Sequence, residues 1–148
     1  MTKTISTYIV GSHFRPPAKQ LLTVIPIGSE LQLVPEPENP YDPHAIKVLV
    51  SLRETYPIAR WVQLDEALEG TGWTSRQIME QESISGPTHL GYLPQSGGKA
   101  ARGGPGNREV INAIAGPDGD RTFNASLSTA PDGSPAVIIT INESEEPT

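Results

Sequence analysis

Residues 35–43 carry four prolines, at positions 35, 37, 40 and 43, between two apolar-rich runs, Leu31-Gln32-Leu33-Val34 and Ala45-Ile46-Lys47-Val48-Leu49-Val50. Proline fixes its own φ, donates no backbone hydrogen bond and pushes the preceding residue into extended geometry. Helix is therefore excluded here, and Asn39 and Asp42, each ahead of a proline, are held extended. The alternation on either side reads as strand, so the segment is a stiff loop joining two strands. A loop already stiff loses little entropy on binding. Between positions 39 and 44 it presents an amide, a phenol, a carboxylate and an imidazole, on Asn39, Tyr41, Asp42 and His44.

The rest of the chain fits a mainly β (α+β) fold. Fifteen prolines and 14 glycines in 148 residues, with a hydrophobic share of 36%, imply many short elements separated by turns in one domain spanning 1–148. Tyr8-Ile9-Val10 reads as a first strand, ended by Gly11, that delivers Phe14 and Arg15 to its C-terminal end. Leu21-Leu22-Thr23-Val24-Ile25 fits either a strand or a helical turn. His89-Leu90-Gly91-Tyr92-Leu93 returns as a strand stopped by Pro94. Phe123 to Ser128 and Ala136 to Ile141 form a hairpin around Pro131-Asp132-Gly133.

Residues 52–87 interrupt this pattern as an insertion with a short helix, opened by the capping-box form Thr74-Ser75-Arg76-Gln77. Trp61 and Trp73 lie in it and are expected to anchor it to the core. Residues 96–106 are glycine-rich and read as a flexible connector. A phosphate-loop reading of them fails, because Leu93 stands where the first glycine is needed and Ala100 replaces the Ser or Thr that would bind magnesium. Asn107 begins a second helix through Val110, Ile111 and Ile114. The acidic tail at 143–148 is expected to be disordered.

Several function classes drop out. The chain has no cysteine, so disulfides and thiolate metal sites are excluded. His44 with Asp42 and Glu38 forms no second ligand cluster, and no nucleophile or acid/base signature stands out; no metal, no cofactor and no catalysis are expected. Without a signal-peptide pattern or an apolar run of about 18 residues, a soluble cytoplasmic protein with no membrane partner is expected. The net charge of −6 argues against a general nucleic-acid coat. That charge is uneven: residues 1–50 carry four basic and four acidic groups, whereas residues 51–90 carry three basic against six acidic.

Gly11 followed by Phe14, then Leu33-Val34 and Glu36-Pro37, Asn39-Pro40-Tyr41-Asp42, Ala45-Ile46-Lys47-Val48, and finally Gly91-Tyr92-Leu93-Pro94, resemble the HIRAN domain over roughly residues 7 to 141. The resemblance implies a small OB-like or SH3-like β-barrel of about six strands with one or two short helices. It also implies a module that captures the 3′-hydroxyl end of single-stranded DNA, in repair, replication or remodelling. Carried over, Phe14 and Tyr41 become base-stacking aromatics, Asn39 and Asp42 polar contacts to the terminal nucleotide, and Arg15 a phosphate contact. Lys47 and Tyr92 complete the nucleic-acid-binding set. The pattern departs at Pro35, His13 and Gln95, each near a place where the family or its DNA-binding member carries a cation.

Elementary chemistry gives the loop a similar role. An ionised Asp42 is acceptor-only, suited to a ribose 3′-hydroxyl and repellent to a terminal phosphate. Aromatics beside it stack without regard to sequence. Two other readings stay open: Asn39 and Asp42 as turn caps bonding the backbone, and a protein-interaction adaptor that keeps the fold without binding DNA.

Overall fold

Residues 2–11, 17–94, 107–115 and 122–142 are described in the computed structural model. Period-two patterning and β-branched residues build six strands among them: β1 (Thr2–Tyr8), β2 (Glu30–Pro35), β3 (Ile46–Val50), β4 (Thr88–Tyr92), β5 (Thr122–Thr129) and β6 (Pro135–Asn142). They form one antiparallel sheet in the order β1-β6-β5-β2-β3-β4. The first strand lies earlier than Tyr8-Ile9-Val10, because its Thr- and Ser-rich run pairs along the whole length of β6, from Thr2 opposite Asn142 to Tyr8 opposite Ala136. The expected hairpin is present as β5 and β6. Its turn is held by the Asp132 carboxylate, which accepts the Ser134 N–H at 3.0 Å.

The mainly β (α+β) class and the six strands are as the sequence implies, and the sheet, consistent with a small OB-like fold, is not closed. Its edge strands β1 and β4 share no ladder, and an isolated bridge between Val10 and Tyr92 is the link across the seam among the described residues. The two amides exchange bonds there, Val10 N–H to Tyr92 O at 2.8 Å and Tyr92 N–H to Val10 O at 2.9 Å. Immediately after the bridge Gly11 takes φ +79°, a conformation that side chains resist.

Five α-helices are described rather than one or two: α1 (Ala18–Val24), α2 (Leu52–Thr55), α3 (Trp61–Ala67), α4 (Ser75–Ser85) and α5 (Asn107–Ala115), with a 3₁₀ turn at Ile58–Arg60. The ambiguous run at 21–25 is helical because one face suffices to bury it, with Leu21 fully buried. Between β3 and β4, adjacent antiparallel strands, the chain makes α2, the 3₁₀ turn, α3 and α4. Helices as short as α2 and α3 are too brief to show a 3.6-residue period in sequence. They hold because Leu52, Leu64, Leu68, Ile78 and Met79 belong to the same buried cluster as the sheet residues Ile46, Val48, Val50 and Leu90.

Trp61 and Trp73 pack against that cluster. The Trp61 indole N–H donates to Tyr56 O at 3.1 Å, and the Tyr56 hydroxyl donates to Val24 O in α1 at 2.6 Å. Burial pushes the Tyr56 phenol above its ordinary value, against the opposing effect of the Arg60 charge.

The capping box of α4 is formed. Thr74 Oγ1 accepts from Gln77 N–H at 3.2 Å, and Gln77 Oε1 accepts from Thr74 N–H at 2.9 Å. Near the other end of α4, the buried Glu82 carboxylate accepts the first two N–H groups of α2, from Leu52 at 2.9 Å and Arg53 at 3.2 Å, and also the Thr88 hydroxyl of β4. A helix start leaves such donors without partners, so one distant carboxylate satisfies them and ties both ends of the helical excursion together.

Candidate nucleic-acid interface

The loop between β2 and β3 is organised by its own side chains. Asn39 Oδ1 accepts the N–H groups of Tyr41 at 2.8 Å and Asp42 at 3.1 Å, while its amide donates to Glu36 Oε1 at 2.8 Å. Asp42 Oδ1 accepts the His44 N–H at 2.9 Å, and Asp42 Oδ2 accepts the Asn107 amide of α5 at 2.5 Å. The Glu36 N–H closes the neck of the loop on Ala45 O at 2.8 Å. Asn39 and Asp42 are thus turn-building residues, the job their short polar side chains do wherever backbone donors crowd a bend. Two extended residues ahead of prolines need that help, because proline supplies no donor of its own.

Turn building leaves chemical capacity over. An ionised carboxylate offers about four lone-pair sites, and Asp42 uses two in the bonds above, so it can accept further donors. Its side chain keeps 16% of its surface accessible. Beside it Tyr41 is 89% exposed, held out by a backbone pinned on both sides. An exposed, pre-positioned ring next to a carboxylate offers a stacking face and a hydrogen-bond acceptor together.

Glu36 is the residue that sequence reasoning missed. Its Oε1 accepts from the Asn39 amide and from the Tyr92 hydroxyl at 3.0 Å, and Lys47 Nζ lies 3.5 Å from its Oε2. These contacts, the Asn39 bond foremost, hold the Glu36 carboxyl below its ordinary value of 4.5 against the opposing effect of burial. The one carboxylate joins the loop to β3 through Lys47 and to β4 through Tyr92. The sequence hints at it by position, the first residue past a strand and between two prolines, and by the Glu36-Pro37 step of the family resemblance.

Tyr92 reaches Glu36 because β4 is irregular. Lys47 pairs with Tyr92 and Val48 with Gly91, but Leu49 pairs with His89, so Leu90 is the extra residue of a bulge. Without it, residues three apart would face opposite sides of the strand. With it, His89 and Tyr92 share a face, their rings edge-on at 4.9 Å, while Leu90 turns into the core. His89 Nε2 lies 2.9 Å from Gly91 O, and a carbonyl only accepts, so that nitrogen carries the proton.

Of the residues singled out from sequence, Asn39, Lys47 and Tyr92 converge on Glu36. Asp42 and Tyr41 sit one turn further out on the same loop. Phe14 and Arg15 lie outside the described residues, as do the proposed connector at 96–106 and the tail at 143–148. Lys47 is the cation that the sheet sets against the foot of the loop, and its charge is already paired with Glu36. Among the described residues no group of three or more His, Asp or Glu could hold a metal ion, and no helix is long and apolar enough to cross a membrane.

The family model for the HIRAN domain matches residues 2–62, from β1 through the loop and β3 into α3. Tyr92 and the β5–β6 hairpin lie beyond the matched stretch. No curated protein and no solved structure matches the chain.

Proposed function

We propose, from the premise that residues 2–62 belong to the HIRAN family, that this chain is a non-catalytic nucleic-acid-binding module whose loop at 36–44 reads the end of a single strand. The observation that carries this is the pairing of a ring left 89% exposed, Tyr41, with the carboxylate of Asp42 on a loop pinned by Asn39, Glu36 and Asn107. A terminal base stacks on Tyr41, and the free 3′-hydroxyl donates to Asp42. A 3′-phosphate is repelled by the same charge.

The sparse cations make the footprint short. With Lys47 paired to Glu36, few phosphates can be neutralised, so one or two terminal nucleotides carry the affinity and the salt dependence is shallow. Tyr92 belongs to the same surface in this reading, through its bond to Glu36. DNA repair, replication or remodelling in the cytoplasm, with a protein partner that processes the DNA, is the setting it implies.

Anisotropy titration of short labelled strands ending in 3′-hydroxyl or 3′-phosphate tests the proposal. Tighter binding of the hydroxyl end, with the preference lost in Asp42→Asn, is expected. Equal affinity for both ends, or none, overturns it in favour of an adaptor.

A further inference from the structure

Residues 51–90 carry six carboxylates and three arginines, Arg53, Arg60 and Arg76. Acid in excess would ordinarily pair with the few cations in reach. Among the described residues none of the three guanidiniums is salt-bridged to a carboxylate. Arg53 donates to the Ser83 hydroxyl at 3.2 Å, and Arg60 donates to Gln63 Oε1 at 3.3 Å and lies 5.3 Å from the centre of the Tyr56 ring.

Two of the three line one groove. A groove of about 650 Å³ between the 3₁₀ turn and α4 is lined by Arg53 and Arg76, with Glu80 as its one carboxylate among the described residues, and Arg60 covers Tyr56, which forms part of its wall. Much of its remaining surface is apolar, from Ile58, Trp61 and Met79. Ile58 is 76% exposed, and Val62 and Ile84 close by in sequence are similarly bare. Ile84 follows Glu80 by four positions on α4, and Glu80 follows Arg76 by four, so the three share one stripe of the helix.

The groove is built for an aliphatic or aromatic side chain arriving with negative charge, rather than for a base. Its aromatic residues turn their polar edges inward, the Tyr56 hydroxyl to Val24 O and the Trp61 indole N–H to Tyr56 O. Tyr56 is buried and its ring lies under Arg60, so it offers no open stacking platform. The bare apolar residue in the groove's lining is Ile58. Arginine with exposed apolar area is the composition of a protein-binding surface.

We propose that this groove is a docking site for an acidic peptide segment of a partner protein, one apolar side chain entering between Ile58 and Met79 while flanking carboxylates meet Arg53 and Arg76. The site is separate from the loop at 36–44.

The test uses a panel of fluorescein-labelled nonapeptides with a central Leu, Phe or Trp flanked by Glu and Asp. Controls are the same centres flanked by Lys, and an all-Glu/Asp peptide. Expected is saturable binding of at least one acidic peptide with an apolar centre, weaker or absent for both controls. Arg76→Glu, at a side chain with no bond to lose, and Ile58→Asp, at an exposed one, should each weaken that binding roughly tenfold or more while leaving thermal unfolding unchanged. Failure of every acidic peptide to bind overturns the proposal. So does affinity unchanged from wild type in both variants, or displacement of the peptide by oligo(dT) at equivalent charge, which would make the groove a nucleic-acid surface.

Discussion

Replacing Glu36 by glutamine keeps the shape of the side chain and an acceptor oxygen while removing the charge. Asn39 and Tyr92 can still donate to the amide oxygen of the variant, but their bonds change from charge-assisted to neutral and lose about half their strength, on the order of 0.5 kcal/mol each. The Lys47 pair is lost as well. It is partly exposed, with side chains 30% and 17% accessible, so it adds well under about 1 kcal/mol after screening. Together Glu36→Gln should cost about 1.5 kcal/mol at pH 7, or roughly 4 °C in Tm for a chain of this size.

The pH dependence separates charge from shape. The folded Glu36 carboxyl lies below its ordinary value of 4.5, so its stabilisation is fully present above that value and is lost as the pH falls through the lower folded value. The difference in Tm between wild type and variant should therefore be constant from pH 7 to about 5 and close on further acidification. Circular dichroism melts of both proteins at matched ionic strength measure this. A gap absent at pH 7, or one that persists undiminished at pH 3, refutes the assignment of Glu36 as the charged hub of the loop.

Other expectations follow from single contacts. Tyr41→Ala, at an exposed ring, should change stability by less than about 0.5 kcal/mol in chemical denaturation, yet weaken binding of a 3′-hydroxyl strand by about 1–3 kcal/mol in anisotropy titrations. Glu82→Ala strips the partners from the Leu52 and Arg53 N–H groups and the Thr88 hydroxyl, and should cost about 3 kcal/mol in the same denaturation experiment. Thr74→Ala, which removes half of a formed capping box, should cost about 1 kcal/mol. Gly11→Ala meets nothing closer than Tyr92 Cδ2 at 3.9 Å, so its penalty comes from the positive φ alone and should stay at about 1–2 kcal/mol.

Much of the sheet was legible because it is written in local pattern. Phe123 to Ile141 alternates around a proline, an aspartate and a glycine, and the hairpin is there. Leu31 to Val50 reads as strand, proline loop, strand, and so it folds. What was not legible depends on partners distant in sequence. Glu36 becomes a hub only when a bulge at Leu90 swings Tyr92 onto its face, and a bulge leaves no mark in a five-residue strand. Asp42 reads in sequence as a free acceptor, whereas in the fold Asn107, 65 residues away, donates to it. The number of helices in 52–87 was underestimated because helices of four or seven residues draw their stability from the shared core, not from a repeat of their own. Whether the sheet closes is similarly nonlocal, since closure depends on whether two edges pair.

The unclosed seam gives the molecule a built-in reporter. Val10 and Tyr92 hold it with two reciprocal amide bonds, and the phenol of the same Tyr92 donates to Glu36 at the foot of the loop. Breathing of the sheet at that seam exposes both amides to solvent, so their hydrogen-exchange rates measure how often it opens. In the proposed function, a strand end on the loop at 36–44 would hold the turn that Asn39 ties to Glu36, and Glu36 bonds Tyr92 at the seam. Occupancy at one edge of the sheet should thus be recorded as slowed exchange at Val10, a residue the ligand need not touch.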